Sequence, residues 1–290
     1  MTKALIKSMR LRTLPLSLAG VVCGGALAMG RHGGSDWVWV LVMLTACSLQ
    51  VLSNLSNELG DHLSGVDGEG REGPNYSMAD GGLTVKQMWK AINGTAVFCA
   101  LSGLAMVWLS GSPWWLLLLG AAAIWAATHY TLGKNPYGNK GLGDLFVFIF
   151  FGLVSVLGSY FVVAQTLDFD ELLLCPAVGM GLLSVAVLNV NNIRDMESDR
   201  GIRKTVPLRI GRRAAQWYQT FLVVGGLVCF YWYPVTVLLW GLPIPLFVWH
   251  LYGVWRYKGR QLDFMLPLLV ISTFLMVLFF SMWMGVIHGV

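Results

Sequence analysis

Charged side chains are scarce in this sequence: Asp, Glu, Lys and Arg make up only 12% of its 290 residues. Soluble domains carry roughly 25% charged residues, so this scarcity excludes a water-soluble globular protein. Hydrophobic residues make up 56%, and the mean hydropathy is +0.64. A disordered chain is also excluded, because 13 Trp, 14 Phe and 9 Tyr are present and disordered segments are poor in aromatic residues. The composition indicates a membrane protein.

Two kinds of motif are missing as well. The five cysteines form no CxxC pair and no Cys/His cluster, so we interpret them as packing residues rather than disulfide partners or metal ligands. The segment Gly141-Leu142-Gly143 is not followed by the Lys and Ser/Thr of a phosphate-binding loop. ATP is therefore not expected as a ligand.

Apolar runs near the length of a membrane span recur along the whole chain, and no polar segment between them is long enough to fold separately. A transmembrane helix needs about 20 such residues. The pattern predicts an all-α fold in which residues 1–290 form one domain, a multi-pass bundle of about nine spans around a central chamber open to the cytoplasm. The predicted spans are 14–30, 37–57, 88–110, 114–132, 143–165, 172–194, 216–233, 235–255 and 264–287.

The basic residues give this topology an orientation. With the N-terminus in the cytoplasm, all of the 20 Lys and Arg residues except Arg31 fall on the cytoplasmic side. Lys and Arg concentrate in the cytoplasmic loops of membrane proteins, so the distribution supports both the span count and the orientation. It also accounts for the net charge of +5, which therefore indicates no nucleic-acid partner. The bilayer is the expected surrounding.

Acidic residues cluster where the second and the sixth spans leave the membrane on that side. Each cluster begins with Asn, and residues four apart share one face of a helix. Like charges at that spacing destabilise a helix unless a cation lies between them, and Mg²⁺ prefers oxygen ligands. We therefore predict a Mg²⁺ site between the two clusters. Its candidate ligands are Asn57, Glu58, Asp61, Asp67, Asn191, Asp195 and Asp199.

Basic residues accompany both acidic clusters. Arg71 follows the first, Arg203 and Lys204 follow the second, and Lys134 lies in a loop between them. Carboxylates, a divalent metal and basic side chains together suit a polyanion, most plausibly a diphosphate. We predict that these four basic residues bind the diphosphate of a substrate.

These motifs resemble the UbiA-type intramembrane aromatic prenyltransferases, and the resemblance covers nearly the whole chain. Within that family the sequence is most similar to the subgroup that prenylates 1,4-dihydroxy-2-naphthoate. Glu58 and Gly65 depart from the broad family pattern, in which both positions are Asp, and Asp67 fits the naphthoate subgroup better. The segments that carry the resemblance are Arg10–Pro15, Gly65–Asp67, Gly141–Asp144, Phe146–Gly152, Asn189–Asn192, Arg194-Asp195 and Lys204-Thr205.

The resemblance implies Mg²⁺-dependent transfer of a polyprenyl group from polyprenyl diphosphate to 1,4-dihydroxy-2-naphthoate, with loss of the carboxylate, during menaquinone synthesis in a bacterial inner membrane. Asp61, Asp195 and Asp199 are then the expected catalytic acids. Tyr130 is the expected aromatic residue beside the allylic cation, near Trp125 and His129. Arg12 is a candidate for holding the carboxylate of the aromatic substrate.

Two alternatives stay open on the sequence alone. One is a member of the same family that acts on 4-hydroxybenzoate, homogentisate or haem. The other is a divalent-cation transporter in which the acidic residues form an ion vestibule. Transport sites usually lie near the middle of the bilayer, whereas these acids lie at one rim, and the spans hold almost no ionisable residue.

Overall fold

The computed structural model describes residues 1–65, 73–74, 76–231 and 242–288. These residues form twelve α-helices, short 3₁₀ turns and one π-helical segment, with no β-strand among them. The all-α prediction is confirmed. The helices are α1 Thr2–Ser8, α2 Leu14–His32, α3 Asp36–Leu63, α4 Val85–Ser110, α5 Leu116–His129, α6 Gly143–Val147, α7 Ser155–Ala164, α8 Glu171–Arg194, α9 Val206–Ile210, α10 Arg212–Tyr231, α11 Ile244–Arg256 and α12 Met265–His288.

Six helical stretches in the described residues are long and apolar enough to cross a membrane. They begin at Thr2, Asp36, Val85, Gly143, Glu171 and Gly259. Three predicted spans are not among the six. The fourth corresponds to α5, which has 14 residues, the seventh corresponds to α10, and the eighth is represented by α11, with residues 232–241 outside the described part. The count of nine spans therefore stays a prediction.

The helices in the middle of the bundle approach one another through glycine. α6 runs through a π-helical segment, Phe148–Val154, into α7, and this segment packs on α8. A Cβ atom added at Gly152 would lie 2.5 Å from the Cα atom of Gly181. Only glycine allows this approach of the two backbones, which is a common way to pack helices in a bilayer.

The outer surface carries large apolar side chains, as expected of helices that face lipid. Trp37, Trp108, Trp114 and Trp115 are all exposed. They lie near the ends of α3, α4 and α5, and Trp is enriched where membrane proteins cross the interface with water. The exposure of these rings supports a protein embedded in a bilayer.

The contact at Gly152 makes a stability prediction. Gly152→Ala should lower the thermal unfolding temperature in detergent, because the new methyl group would meet backbone atoms that cannot move aside. Gly94→Ala is the matched control, since a Cβ atom there meets nothing within 4 Å and alanine favours a helix over glycine by about 0.5–1 kcal/mol. Unfolding can be monitored by circular dichroism. Equal unfolding temperatures for the two variants would contradict the proposed packing.

Candidate active site

A cavity of about 670 Å³ lies within the bundle, between α3, α4, α5, the π-helical segment with α7, and α8. Polar and charged side chains line one end of it, which we call the charged end. Aliphatic side chains from α4 and α5, such as Leu104, Met106 and Leu119, line much of the rest. The charged end includes Asn57, Asp61, Asn191, Asp195 and Arg203.

The first acidic motif lies on α3, which continues past residue 57, the predicted end of the span, to Leu63. Gln50, Asn54, Asn57 and Asp61 all face the cavity. Their spacing of four, three and four residues makes one stripe along the helix. The predicted alignment of Asn57 with Asp61 is therefore present in the structure.

Apolar contacts on another face of α3 hold this stripe in place. Leu52, Leu55 and Leu59 are fully buried in a cluster that includes residues of α4. At Gly60 the helix touches the segment after α5, where an added Cβ would lie 2.4 Å from Thr131 Oγ1. Thr131 Oγ1 donates a hydrogen bond to Asn57 Oδ1 at 3.2 Å. The two segments thus fix the Asn57 side chain.

Glu58 turns away from the cavity that the neighbouring Asn57 lines. Its side chain is fully buried, and Oε1 accepts a hydrogen bond from the backbone N–H of Met78 at 2.9 Å. One residue along a helix rotates a side chain by about 100°, which is enough to change the face. The structure gives Glu58 a contact with the loop before α4, and its role as a metal ligand stays a prediction.

The second motif lies at the end of α8. Ser184, Leu188, Asn191 and Asp195 line the cavity with the same spacing of four, three and four residues. The four-residue spacing of Asn191, Asp195 and Asp199 predicts that all three share one helix face, but the helix ends at Arg194, so this prediction is wrong for Asp199. A turn follows, in which the Asp199 N–H donates to the Asp195 carbonyl at 2.8 Å, and Asp199 is buried beside Arg203.

Arg203 connects the two motifs. Its Nη2 contacts Asp61 Oδ1 from α3, and its Nη1 lies 4.0 Å from Asp199 Oδ1. Burial alone would lower the pKa of Arg203, but the attraction of Asp61 and Asp199 outweighs it and the pKa is raised above its ordinary value. The guanidinium stays charged at the charged end of the cavity.

Arg194 binds the carboxylate and the amide of the second motif. Its Nε and Nη2 donate to the two carboxylate oxygens of Asp195 at 2.7 and 2.6 Å, which is the bidentate geometry typical of this pair. Nη2 also donates to Asn191 Oδ1 at 2.9 Å, and Nη1 to Asp263 Oδ1 at 2.9 Å. Arg194 was part of the family resemblance, but the sequence predicted no binding role for its side chain.

Other predicted residues lie outside the cavity wall or outside the described residues. Lys134 and Lys204 are exposed and do not line the cavity. Arg12 is exposed too, and its Nη2 donates to the Tyr76 hydroxyl at 2.9 Å. Asp67 and Arg71 lie outside the described residues. The roles predicted for these five residues stay predictions.

An aromatic wall of four residues faces the cavity near the charged end: Tyr130, Tyr137, Phe146 and Phe150. The rings of Tyr137 and Phe146 stack with centroids 4.0 Å apart. The Tyr130 and Tyr137 centroids are 5.4 Å apart, edge to face.

Sequence analysis selected only Tyr130 of this wall, although the four-residue spacing of Phe146 and Phe150 was a usable signal. Trp125 and His129 stack on each other at 5.2 Å but do not line the cavity.

The donor set at the charged end fits a magnesium ion that shares its coordination with phosphates. Mg²⁺ usually binds through one or two carboxylates together with substrate phosphates and water, and Asp61 and Asp195 reach the same cavity with the amides of Asn57 and Asn191. Among the described residues, no three His, Cys, Asp or Glu side chains converge on a point, so these residues do not form an all-protein cage.

Comparisons with known proteins define the class of this chain. The model of the UbiA prenyltransferase family matches residues 17–265, and the chain belongs to this family. It is 41% identical over 273 residues to the 1,4-dihydroxy-2-naphthoate octaprenyltransferase of Escherichia coli (strain K12), an alignment that covers 90% of this chain and 87% of that protein. The protein of the same name from Haemophilus influenzae is 36% identical over the same shares of the two chains.

Solved structures show the same fold at low sequence identity. A UbiA homolog from Archaeoglobus fulgidus bound to GPP and Mg²⁺ superposes with a TM-score of 0.69 at 15% identity, covering 99% of this chain and 100% of that one. The apo structure of a UbiA homolog from Aeropyrum pernix K1 gives 0.66 at 17% identity, covering 91% and 97%. These likenesses establish the fold.

Removing the guanidinium of Arg203 should make the protein depend on a divalent cation. In Arg203→Gln, the buried carboxylates of Asp61 and Asp199 lose the positive charge of Arg203, which costs roughly 3 kcal/mol of stability. Added MgCl₂ should recover much of the loss in a thermal unfolding assay. Arg200→Gln is the control, because its ion pair with Glu197 is exposed and contributes little. A Mg²⁺ response no larger than that of the wild type would argue against a cation between the motifs.

Proposed function

We propose that this protein transfers a polyprenyl group from polyprenyl diphosphate to 1,4-dihydroxy-2-naphthoate, with loss of the carboxylate, in menaquinone synthesis. One observation carries the proposal: two stripes of amide and carboxylate side chains face a single cavity whose remaining walls are largely apolar. The polar end suits a diphosphate and the apolar part suits its hydrocarbon chain. The names of the curated relatives support the choice of acceptor.

Asp61 and Asp195 would hold Mg²⁺ together with Asn57 and Asn191. The bound ion would neutralise the diphosphate and make it a better leaving group. Asp199 holds Arg203 in place by its charge, since the two side chains are 4.0 Å apart. Fixed positive charge at this position stabilises the negative charge that develops on the departing diphosphate.

We assign Lys134, Lys204 and Arg71 to the capture of the diphosphate before it enters the cavity. The side chains of Lys134 and Lys204 are exposed, so they would attract the diphosphate from water before it enters the cavity. Arg71 is assigned to the same task from its place in the sequence. Asp67 is retained as a candidate ligand from its place in the sequence, whereas Glu58 is turned away from the cavity and accepts a hydrogen bond from the Met78 N–H.

The aromatic wall provides what the carbon–carbon bond formation needs. As the carbon–oxygen bond breaks, its electron pair leaves with the diphosphate and the prenyl chain becomes an allylic cation. The electron-rich acceptor ring then bonds to the terminal carbon of this cation, and loss of the ring carboxylate as carbon dioxide returns the electron pair that restores the aromatic ring. Aromatic faces such as those of Tyr130 and Tyr137 stabilise a cation at close range. The apolar walls also exclude water, which would otherwise capture the cation.

The rival functions are less well supported. The carboxylates that line the cavity, Asp61 and Asp195, lie at its charged end, whereas transport sites usually lie near the middle of the bilayer, which disfavours a divalent-cation transporter. Another aromatic acceptor, such as 4-hydroxybenzoate, homogentisate or haem, would use the same charged end. The acceptor is therefore the part of the proposal that the first experiment must test.

Membranes that contain the protein should convert 1,4-dihydroxy-2-naphthoate and a polyprenyl diphosphate into a prenylated, decarboxylated product, identified by mass spectrometry. Excess chelator should stop the reaction, because bare carboxylates repel a diphosphate. Asp61→Asn and Asp195→Asn should each reduce the rate by orders of magnitude, whereas Glu197→Gln, at an exposed position, should not. Product formed from 4-hydroxybenzoate in preference to the naphthoate would refute the assigned acceptor.

We further propose that the charged end faces the cytoplasm of a bacterial cell, in its inner membrane, together with the N-terminus. Moving a diphosphate through the hydrocarbon core would be very costly, so its head group enters from water. In a variant without native cysteines, Ser64→Cys, at the exposed end of α3, should react with a membrane-impermeant thiol reagent only in inside-out vesicles. Labelling from outside intact cells would reverse the proposed orientation.

A further inference from the structure

The residue Arg10 enters the cavity from an unusual backbone conformation. It lies between α1 and the 3₁₀ turn Leu11–Thr13, with φ of 49° and ψ of 53°, the left-handed region that non-glycine residues rarely adopt. The Thr13 hydroxyl donates to the Arg10 carbonyl at 2.9 Å and stabilises this turn. Such strain is often stored at functional sites, and the side chain of Arg10 lines the cavity.

One edge of the Arg10 guanidinium, formed by Nε and Nη2, donates no hydrogen bond to any group in the described part of the chain. Its carbon lies 3.7 Å from the centroid of the Tyr76 ring. Nε and Nη2 are buried and have no hydrogen-bond partner among the described residues. Arg194 uses these same two nitrogens to bind the Asp195 carboxylate. Buried N–H groups without a partner are costly, so the geometry calls for a carboxylate from outside the protein.

A hydrogen-bond acceptor that is likewise buried and without a partner among the described residues lies on α3. Gln50 is only 8% exposed and lines the cavity. Its amide nitrogen donates to Asn54 Oδ1 at 3.0 Å and lies 3.4 Å from Thr13 Oγ1, within the turn that holds Arg10. Its Oε1 is buried and without a partner in the described part of the chain. That oxygen suits a hydroxyl donor.

We propose that Arg10 and Gln50 bind the aromatic acceptor through a carboxylate and a hydroxyl on adjacent ring carbons. Arg10 takes the carboxylate with Nε and Nη2, and Gln50 Oε1 accepts a hydrogen bond from the hydroxyl. The planar guanidinium fork matches a carboxylate in two parallel hydrogen bonds. This subsite rests on the proposed function, because 1,4-dihydroxy-2-naphthoate carries both groups in that arrangement.

Arg10 and Gln50 lie away from the charged end, where the diphosphate is proposed to bind. Asn54, which bonds to Gln50 and to the Met9 carbonyl beside Arg10, lies seven residues before Asp61 on the same stripe of α3. That separation is about 10 Å along the helix axis. Arg10 forms no ion pair with a described carboxylate, whereas Arg203 and Arg194 both do. The acceptor therefore has its own anchor, and Arg10 replaces Arg12 as the residue for its carboxylate.

Binding without turnover tests this subsite in the full-length protein in detergent. The probes are 1-hydroxy-2-naphthoate, 1-naphthol, which lacks the carboxylate, and 2-naphthoate, which lacks the hydroxyl. Arg10→Gln should lower the affinity for 1-hydroxy-2-naphthoate by about tenfold to a hundredfold, as expected for hydrogen bonds to a charged group. It should change the affinity for 1-naphthol by less than about twofold. Gln50→Leu should instead reduce the difference in affinity between 1-hydroxy-2-naphthoate and 2-naphthoate, because these two probes differ only in the hydroxyl that Gln50 Oε1 would bind.

Lys3→Gln is the control, because it removes the same charge from an exposed side chain on α1. Unchanged binding of 1-naphthol shows that the Arg10→Gln protein is folded. Equal losses for all three probes, a loss caused by Lys3→Gln, or weaker binding of prenyl diphosphate alone would each overturn the subsite. If the probes behave as expected but no naphthoate is prenylated, the subsite stands and the proposed function falls.

Discussion

Buried carboxylates from two separate helices need positive charge between them, and the arrangement of the charged end follows from this need. Asp61 arrives on α3, and Asp195 and Asp199 follow α8. Arg203 pairs with Asp61 and lies near Asp199, and Arg194 binds Asp195. Removing one partner of a buried pair typically costs several kcal/mol, so these arginines hold the two motifs at one end of a common cavity.

The helices carry the polar stripes to this place through apolar contacts on other faces. On α3 the buried leucines at 52, 55 and 59 follow helical spacing and pack away from the cavity. The position of Asp61 is therefore set by hydrophobic packing, and its charge is then balanced by Arg203. The close approach at Gly60 brings in Thr131 and, next to it in sequence, Tyr130. Packing and electrostatics thus place the aromatic wall beside the carboxylates.

Much of this was predictable from local sequence. Apolar runs predicted the helices, and the four-residue spacing predicted that Asn57 and Asp61 share a face, because both depend only on helix geometry. The turn after Arg194 was missed, since the spacing of Asp195 and Asp199 fits a helix equally well. The contact of Glu58 with Met78 was also missed, because it depends on how a loop packs against α3.

The selection of basic residues was the least predictable part. Proximity to the acidic clusters favoured Lys134 and Lys204, and the family resemblance favoured Arg12, but all three side chains are exposed. Arg194 and Arg10 line the cavity instead. The direction of Arg10 depends on a left-handed turn and on Tyr76, which is distant in sequence. Which of several nearby arginines enters a cavity is a tertiary property, and helix periodicity does not contain it.

The charge balance at the site explains why a diphosphate would need a metal here. Arg194 faces two carboxylates, Asp195 and Asp263, and Arg203 likewise lies beside two, Asp61 and Asp199. The positive charge that each guanidinium offers to a polyanion is therefore partly neutralised by carboxylates. The four carboxylates would repel a diphosphate that enters this end, and divalent cations that enter with it would reduce the repulsion. Asp61 and Asp195 would hold Mg²⁺, which would supply positive charge for the diphosphate, and the acceptor carboxylate would have the separate guanidinium of Arg10.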